Sequence, residues 1–196
     1  MQSSYFKIRN ISSLSQILEY LKDLKDLSDV IVFFDWDDTL VNPDYDCIIE
    51  PQVTQELIEF LIKNNVYFHI ITGRFWNTAC DETYRNLRDM EANIKNTMFP
   101  CLNQLGMDTS IFLKPVSTKN IYRIYDEAGV CVGIVYMGIF FSGQKGKTIK
   151  HYLRQTGLNK NTILFVDDYE PYLTETTSSF PKVQAFRRHV SYRAIN

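Results

Sequence analysis

The chain has 196 residues, of which 45% are hydrophobic and 22% are charged, and its formal net charge is −2. These are the values of an ordinary globular domain, and so small a net charge gives no electrostatic reason to expect a nucleic-acid partner. No apolar stretch reaches membrane-spanning length, and no signal-peptide pattern opens the chain. A single domain over residues 1–196, located in the cytoplasm, is therefore predicted.

Helical and strand patterns alternate along the chain. Helices are predicted for residues 11–27, 51–64, 77–97 and 143–157, and strands for residues 30–34, 66–71 and 163–166. Residues 99–120 indicate a loop or short helix and then a short strand at 111–113, and residues 130–142 indicate a β-hairpin. Such alternation is typical of a doubly wound, Rossmann-like α/β fold with a parallel sheet. The surplus around residues 99–142 is expected to form a small cap or hairpin insertion.

The most informative run is the first predicted strand, five apolar residues that end at Asp35, Asp37 and Asp38. A continuous apolar run is typical of a buried central strand, and ligands bind at the carboxyl ends of such strands. The extended chain would direct Asp35 and Asp37 to the same side. Carboxylates this close repel each other, and a divalent cation is the usual reason for holding them together. A solvated acidic turn is the alternative.

Three later motifs stand beside this one, each at the boundary of a predicted element. In chain order the four are Asp35-Trp36-Asp37-Asp38-Thr39, Thr72-Gly73-Arg74, Lys145-Gly146 and Asp167-Asp168. This order resembles the haloacid dehalogenase (HAD) superfamily of aspartate-nucleophile phosphohydrolases, over roughly residues 28–175. The first motif is specific, the last is fairly specific, and the middle two gain meaning only from that order.

The resemblance implies a role for each matched residue. Asp35 would attack phosphorus and form an aspartyl-phosphate, which divides one difficult displacement into two easier ones. Asp37 would protonate the leaving oxygen and then activate water. Thr72 and Gly73 would donate hydrogen bonds to the phosphoryl oxygens, and Lys145 would neutralise the nucleophile and the phosphate together.

The resemblance also implies a Mg²⁺ ion. Its ligands would be Asp168, the Asp35 carboxylate and the main-chain carbonyl of Asp37, with Asp167 as the alternative direct ligand. Three of these carboxylates and a phosphate dianion would bring five negative charges into one crevice. Each like-charged contact near ~4 Å costs roughly 4 kcal/mol at an effective dielectric of about 20, which one lysine does not offset. A Mg²⁺ ion with Lys145 brings three positive charges.

Two positions depart from the family pattern or leave a choice open. The family often has Asp or Asn four residues after the metal ligand, where this chain has Tyr172, with Glu170 and Glu175 nearby. This departure concerns the outer metal shell. Lys147 competes with Lys145 for the lysine role, although the Lys-Gly pairing and the distance to Asp167 favour Lys145.

Other enzyme classes explain less of the sequence. Gly146-Lys147-Thr148 suggests a P-loop, but the first glycine of that motif would fall at position 141, which is Phe141. A cysteine phosphatase would need C-x₅-R, and Cys80 precedes Arg85 by one residue too few. The four cysteines are instead predicted to be buried small hydrophobic residues in a reduced, cytosolic-type environment. These cysteines are Cys47, Cys80, Cys101 and Cys131.

The substrate is predicted from the space around the motifs. Residues 41–50 leave room only for a flap, so an open site is expected, with Arg74, Trp76 and Tyr45 as substrate contacts. The C-terminal part resembles an uncharacterised bacterial branch of the superfamily that includes injected effectors acting as protein-tyrosine phosphatases. A phosphorylated protein or a small phosphomonoester is therefore the expected substrate, and a non-catalytic HAD-fold binding module is the alternative.

Two further groups are given structural roles. His69 lies in a predicted strand and is expected to be a satisfied core residue. Arg187, Arg188, His189 and Arg193 make a basic tail, which is predicted to be a solvated terminus.

Overall fold

The structure, a computed structural model, describes residues 8–45, 47–74, 80, 84–105, 121–180 and 182–190. The strands are β1 (Arg9–Ile11), β2 (Val30–Asp35), β3 (Val41–Asn42), β4 (Cys47–Ile48), β5 (Tyr67–Thr72), β6 (Tyr122–Tyr125), β7 (Cys131–Tyr136), β8 (Ile139–Phe141), β9 (Thr162–Asp167) and β10 (Val183–Arg188). The helices are α1 (Ser15–Lys22), α2 (Pro51–Lys63), α3 (Tyr84–Asn93), α4 (Phe99–Gln104), α5 (Lys145–Thr156) and α6 (Glu170–Ser179), with a π-helical turn at Ile94–Met98 between α3 and α4. None of the described helices has the length and apolar character that crossing a bilayer requires.

Eight strands form one sheet in the order β1-β10-β9-β2-β5-β8-β7-β6. The first six are parallel, and β7 and β6 add to one edge as antiparallel strands. The chain runs from β2 to β5 and β8 on one side, and then returns to place β9 and β10 on the other side of β2. This reversal creates a switch point between β2 and β9, where open α/β sheets bind ligands. Because Phe34 pairs with Val166, the next residues, Asp35 and Asp167, leave the sheet side by side.

The central strand is buried on both faces. Val30, Val32 and Phe34 belong to a core with residues of α1 and α2, whereas Ile31 and Phe33 belong to a second core with residues of α5 and α6. The period-2 alternation of the strand thus supplies both cores from one continuous apolar run. The prediction of an α/β fold with a mostly parallel sheet of the Rossmann-like class is confirmed.

The ends of the sheet differ from the sequence prediction. Strand β1 precedes a first helix that is shorter than predicted, and β10 replaces the solvated basic tail expected near residues 187–189. Arg188 is only 2% exposed, and its Nη2 donates a hydrogen bond to Glu50 Oε2 at 2.8 Å. The prediction of a solvated tail is therefore wrong for Arg188, because a distant carboxylate pairs with it. Arg193 lies outside the described residues.

Residues 99–142 give a mixed outcome. The expected short helix is α4, and the expected hairpin is formed by β7 and β8. Both hairpin strands, with the unpredicted β6, belong to the main sheet. The strand predicted at 111–113 and the start of the helix predicted for 77–97 lie outside the described residues. The small insertion stays a prediction.

The cysteines were predicted to be buried and reduced, and this holds for Cys101. Cys47 is free and exposed, and Cys80 forms a disulfide with Cys131, 51 residues away in the sequence. The prediction is therefore wrong for these three residues. No C-x-x-C spacing marks the bonded pair in the sequence, so the pairing follows from the fold, which brings the residue before α3 to β7.

His69 is a core residue, as predicted, but it is not a satisfied one. Among the described residues, neither ring nitrogen has a hydrogen-bond partner, and the ring packs against Phe33, Phe140 and Tyr152. Burial lowers the pKa of His69 to about 3. Since the unfolded chain returns this pKa to about 6.5, the unfolded state binds the proton first as the pH falls. The stability contributed by neutral His69 is complete above about pH 6.5 and is lost as the pH falls toward about 3.

Replacing His69 by leucine should flatten the acid side of the stability profile. Between about pH 8 and about pH 5, the wild type should lose about 2 kcal/mol of unfolding free energy from this group, and His69→Leu should lack that loss. Urea unfolding at the two pH values measures the difference. His189→Gln, at an exposed histidine, is the control that should keep the loss. Identical profiles for the two variants would contradict the assignment.

Candidate active site

The ends of β2 and β9 are joined by one ammonium group. Lys145 Nζ donates to Asp35 Oδ1 at 2.5 Å and to Asp167 Oδ2 at 2.8 Å, and all three side chains are buried. Asp35 Oδ2 also accepts a long hydrogen bond of 3.5 Å from Thr39 Oγ1. The predicted nucleophile and the predicted lysine therefore lie in direct contact at the carboxyl edge of the sheet.

Close helix packing explains why glycine follows the lysine. A Cβ at Gly146 would lie 2.7 Å from the Cα of Thr176 in α6, a distance at which the backbone would have to shift. Glu175 of the same helix accepts hydrogen bonds from the amides of Gly146 and Lys147, at 3.4 and 3.3 Å. Lys147 itself is exposed, so the choice between the two lysines falls on Lys145.

The charges of this cluster shift one another's protonation. Burial raises the pKa of Asp35, and the neighbouring Asp167 raises it further, against the opposing effect of Lys145. Burial likewise raises the pKa of Asp167. For Lys145, burial alone would lower the pKa, but the two carboxylates outweigh it and raise the pKa above its ordinary value. The lysine is thus held in its charged form, although it opens a helix, where the dipole disfavours a cation.

Asp168 completes a set of donors for a divalent ion. One carboxylate oxygen each of Asp35, Asp167 and Asp168 lies within 4.8 Å of the others. Burial raises the pKa of Asp168 to about 6, and the charges of Asp35 and Asp38 add to the effect. Carboxylate oxygens are the ligands that Mg²⁺ prefers, and a positive ion would relieve the crowding that raises these pKa values. The donor set therefore fits Mg²⁺.

The two consecutive aspartates differ in how they are occupied. Asp167 accepts from Lys145 on Oδ2 and from the Tyr169 amide on Oδ1, at 2.8 Å in both cases. Asp168 is half-buried and borders two cavities, so its carboxylate is the more accessible of the pair. This arrangement favours Asp168 as a direct metal ligand and Asp167 as the residue that holds the lysine. Glu170, in contrast, pairs with Arg187 at 2.5 Å.

Arg74 contacts the predicted acid/base rather than open solvent. Its Nε donates to both carboxylate oxygens of Asp37, at 2.9 and 3.1 Å, and its Nη2 donates to Asp37 Oδ1 at 2.5 Å. The Arg74 amide donates to Thr72 Oγ1 at 3.1 Å, a bond that leaves the hydroxyl proton of the buried Thr72 for another acceptor. The sequence grouped Arg74 with the substrate contacts, and the structure gives it a partner within the site.

A tight turn carries the chain from the nucleophile into the flap. Asp38 has a φ of 56°, in the left-handed region, and its amide donates to the Val41 carbonyl at 2.8 Å. The turn leads into β3 and β4, which pair as a two-stranded hairpin where the flap was predicted. Tyr45, in the flap, is 70% exposed, whereas Trp76 lies outside the described residues.

Most of the predicted site residues line one cavity of about 180 Å³, which has room for several water molecules. Thr72 is fully buried at the end of β5 and is not among the lining residues. Three lining residues were not given roles from the sequence. Asp38 was only part of an acidic run, Tyr169 had no signal beyond its place after the aspartate pair, and Tyr172 was noted only as a departure from the family pattern. The lining residues are Asp35, Asp37, Asp38, Gly73, Arg74, Lys145, Asp167, Asp168, Tyr169 and Tyr172.

The fold and the site together define an α/β protein of the Rossmann-like class with a carboxylate–lysine cluster at the switch point of its sheet. No protein-family model matches the chain, no curated protein is detectably similar to it, and no solved structure matches it. The resemblance to the HAD superfamily therefore rests on the motif residues and stays a prediction.

Magnesium should stabilise the folded protein through Asp168. An ion at a concentration of about 100 times its Kd contributes about 2.7 kcal/mol, which raises the melting temperature by several degrees in a chain of this size. Asp168→Asn should remove most of this rise, and without Mg²⁺ it should melt no lower than the wild type, because it removes a like charge. Thermal melts with and without Mg²⁺ measure both effects, with Glu170→Gln as the control. An undiminished rise in Asp168→Asn would exclude this ligand.

Proposed function

We propose that the chain is a Mg²⁺-dependent phosphomonoester hydrolase that uses Asp35 as its nucleophile. One observation carries the proposal: Lys145 bridges Asp35 and Asp167, and Asp168 places a third carboxylate within reach of both. A buried carboxylate that faces a cavity and touches a fixed ammonium group is suited to attack an anionic centre, because the ammonium offsets the repulsion.

The first half-reaction begins at Asp35. A carboxylate oxygen of Asp35 forms a bond to phosphorus as the bond from phosphorus to the leaving oxygen breaks, and Asp37 supplies the proton that the leaving oxygen takes up. Thr72 Oγ and the Gly73 amide donate hydrogen bonds to the phosphoryl oxygens. In the second half-reaction, Asp37 takes a proton from water, the water oxygen bonds to phosphorus, and the carboxylate of Asp35 is released.

Arg74 sets a condition on the role of Asp37. Both carboxylate oxygens of Asp37 accept hydrogen bonds from Arg74, so proton donation requires this contact to loosen. A phosphate dianion in the same cavity competes for the guanidinium, because arginine binds phosphate and carboxylate through the same paired geometry. Substrate binding would thereby free the acid only when there is a phosphate to hydrolyse.

Magnesium would be held by Asp35 and Asp168, with the Asp37 carbonyl completing the protein ligands. When bound, the ion neutralises charge on the transferring phosphoryl group. The chain's own residues perform the remaining steps. Five carboxylates line the cavity together with the two cations Lys145 and Arg74, and a divalent ion would reduce this imbalance of charge.

The proposed substrate is a phosphorylated side chain of a protein or a small phosphomonoester. The shortness of the hairpin of β3 and β4 is compatible with either. A protein phosphatase is the form of the proposal that the sequence resemblance favours. Export as an effector rests on that resemblance alone.

Asp35→Asn should abolish turnover, because an amide does not attack phosphorus. Phosphate release should be measured with Mg²⁺ across phosphotyrosine, phosphoserine and phosphothreonine peptides and a panel of metabolites, and the rate should fall by at least about a thousandfold. Asp23→Asn, at an exposed position directly after α1 that does not line the cavity, is the matched control. Near-normal activity of Asp35→Asn would exclude the mechanism, and no turnover of any substrate by a wild type that binds Mg²⁺ would favour the binding-module alternative.

Asp37→Asn should affect poor leaving groups most. Phenolate and alkoxide need a proton as they depart, whereas p-nitrophenolate needs far less, so hydrolysis of phosphotyrosine or alkyl phosphates should fall more than that of p-nitrophenyl phosphate. The ratio of kcat/KM values for the two kinds of substrate, in wild type and variant, measures the difference. Equal losses would remove Asp37 from the role of leaving-group acid.

A further inference from the structure

Two tyrosines stand at the start of α6, directly after the aspartate pair. Tyr169 and Tyr172 meet edge to face, with ring centroids 5.2 Å apart and planes at 72°. Both line the cavity of about 180 Å³ that contains the nucleophile. The other lining residues of that cavity are charged or are glycine, so the tyrosine pair supplies its apolar wall.

The inner ring is fixed in place. Lys145 Nζ lies 4.5 Å from the ring centroid of Tyr172, close enough for a cation–π contact. The Tyr172 hydroxyl lies next to Gly73, where an added Cβ would be in van der Waals contact with it at 3.4 Å. Tyr172 is therefore held between Lys145 and the end of β5, and it forms the more buried part of the apolar wall.

The ring of Tyr169, the more exposed of the two tyrosines, is accessible to a ligand. Tyr169 is 54% exposed, and its backbone, rather than its side chain, makes the hydrogen bond to Asp167. Tyr169 thus presents an exposed aromatic ring at a cavity whose other lining residues, apart from Tyr172, are charged or glycine. Because Asp35 and Tyr169 line the same cavity, a group attached to a phosphate at Asp35 would be within reach of this ring.

We propose that Tyr169, supported by Tyr172, selects aryl phosphomonoesters by packing against the ring of the leaving group. The inference rests on the proposed function and gives its substrate class. An aryl group gains aromatic packing as well as apolar burial on this wall, whereas a small alkyl group gains little of either. The side chain of phosphotyrosine belongs to the favoured class, and those of phosphoserine and phosphothreonine do not.

The test uses ligands that need no turnover. Phenylphosphonate and methylphosphonate carry the same anionic head but differ in the group that would meet Tyr169. Titration calorimetry with Mg²⁺ should give wild-type phenylphosphonate an affinity roughly three- to tenfold higher than that of methylphosphonate. Tyr169→Phe, which keeps the ring, should retain this ratio, and Tyr169→Ala should bring it close to one by lowering the affinity for phenylphosphonate.

Each outcome bears on a different claim. Equal wild-type affinities for the two phosphonates, or an unchanged ratio in Tyr169→Ala, would overturn the aryl selectivity and leave phosphate hydrolysis in place. A Tyr169-dependent ratio in a protein that hydrolyses nothing would support the aryl site and overturn the proposed function. Failure of both phosphonates to bind would overturn both. Circular dichroism of Tyr169→Ala and Tyr169→Phe confirms that the variants are folded.

Discussion

The contact of Lys145 with Asp35 and Asp167 is the constraint around which the site is built. Two parallel strands end in carboxylates, and their burial is tolerated because one ammonium group, delivered by the first residue of α5, lies between them. Buried charges persist in proteins when they are paired, and removing one partner leaves the other at a high cost. The pairing of β2 with β9 places Asp35 beside Asp167, and α5 supplies the cation Lys145. Neither buried carboxylate would be stable in its charged form without that lysine.

The site holds two sets of ion pairs that differ in how deeply they are buried. Lys145 is buried with its partners, whereas the side chains of Arg74 and Asp37 keep 21% and 29% of their exposure. A pair that retains contact with water costs less to separate, because the released charges are partly solvated already. The cluster thus combines a buried carboxylate at Asp35 with a more exposed one at Asp37. In the proposed reaction, this difference would suit a nucleophile that stays in one place and an acid that gives and takes up a proton.

The sequence predicted those parts of the molecule that depend on local pattern. The apolar runs that end in Asp35 and Asp167 place both residues at the edge of the sheet, because strand geometry alone determines that position. Local pattern did not predict contacts between residues that are distant in the sequence. The buried Arg188 pairs with the carboxylate of a residue 138 positions earlier, Glu50. Arg74 pairs with Asp37, 37 positions earlier, so both contacts depend on the assembled fold. Local pattern also gave no reason to expect Cys80 to be bonded.

The backbone contact at Gly146 has a consequence for how this site is able to diverge. Because α5 and α6 touch without an intervening side chain, the lysine at the start of one helix and the tyrosines at the start of the other belong to a single rigid unit. The side chain of Tyr169 is 54% exposed and packs on that unit only in part, whereas its hydrogen bond to Asp167 is made by the backbone. Descendants of this chain are therefore free to exchange Tyr169 and acquire new preferences, while the helix pair preserves the alignment of Lys145. Substrate preference is therefore able to change without a change in the residues proposed to carry the reaction.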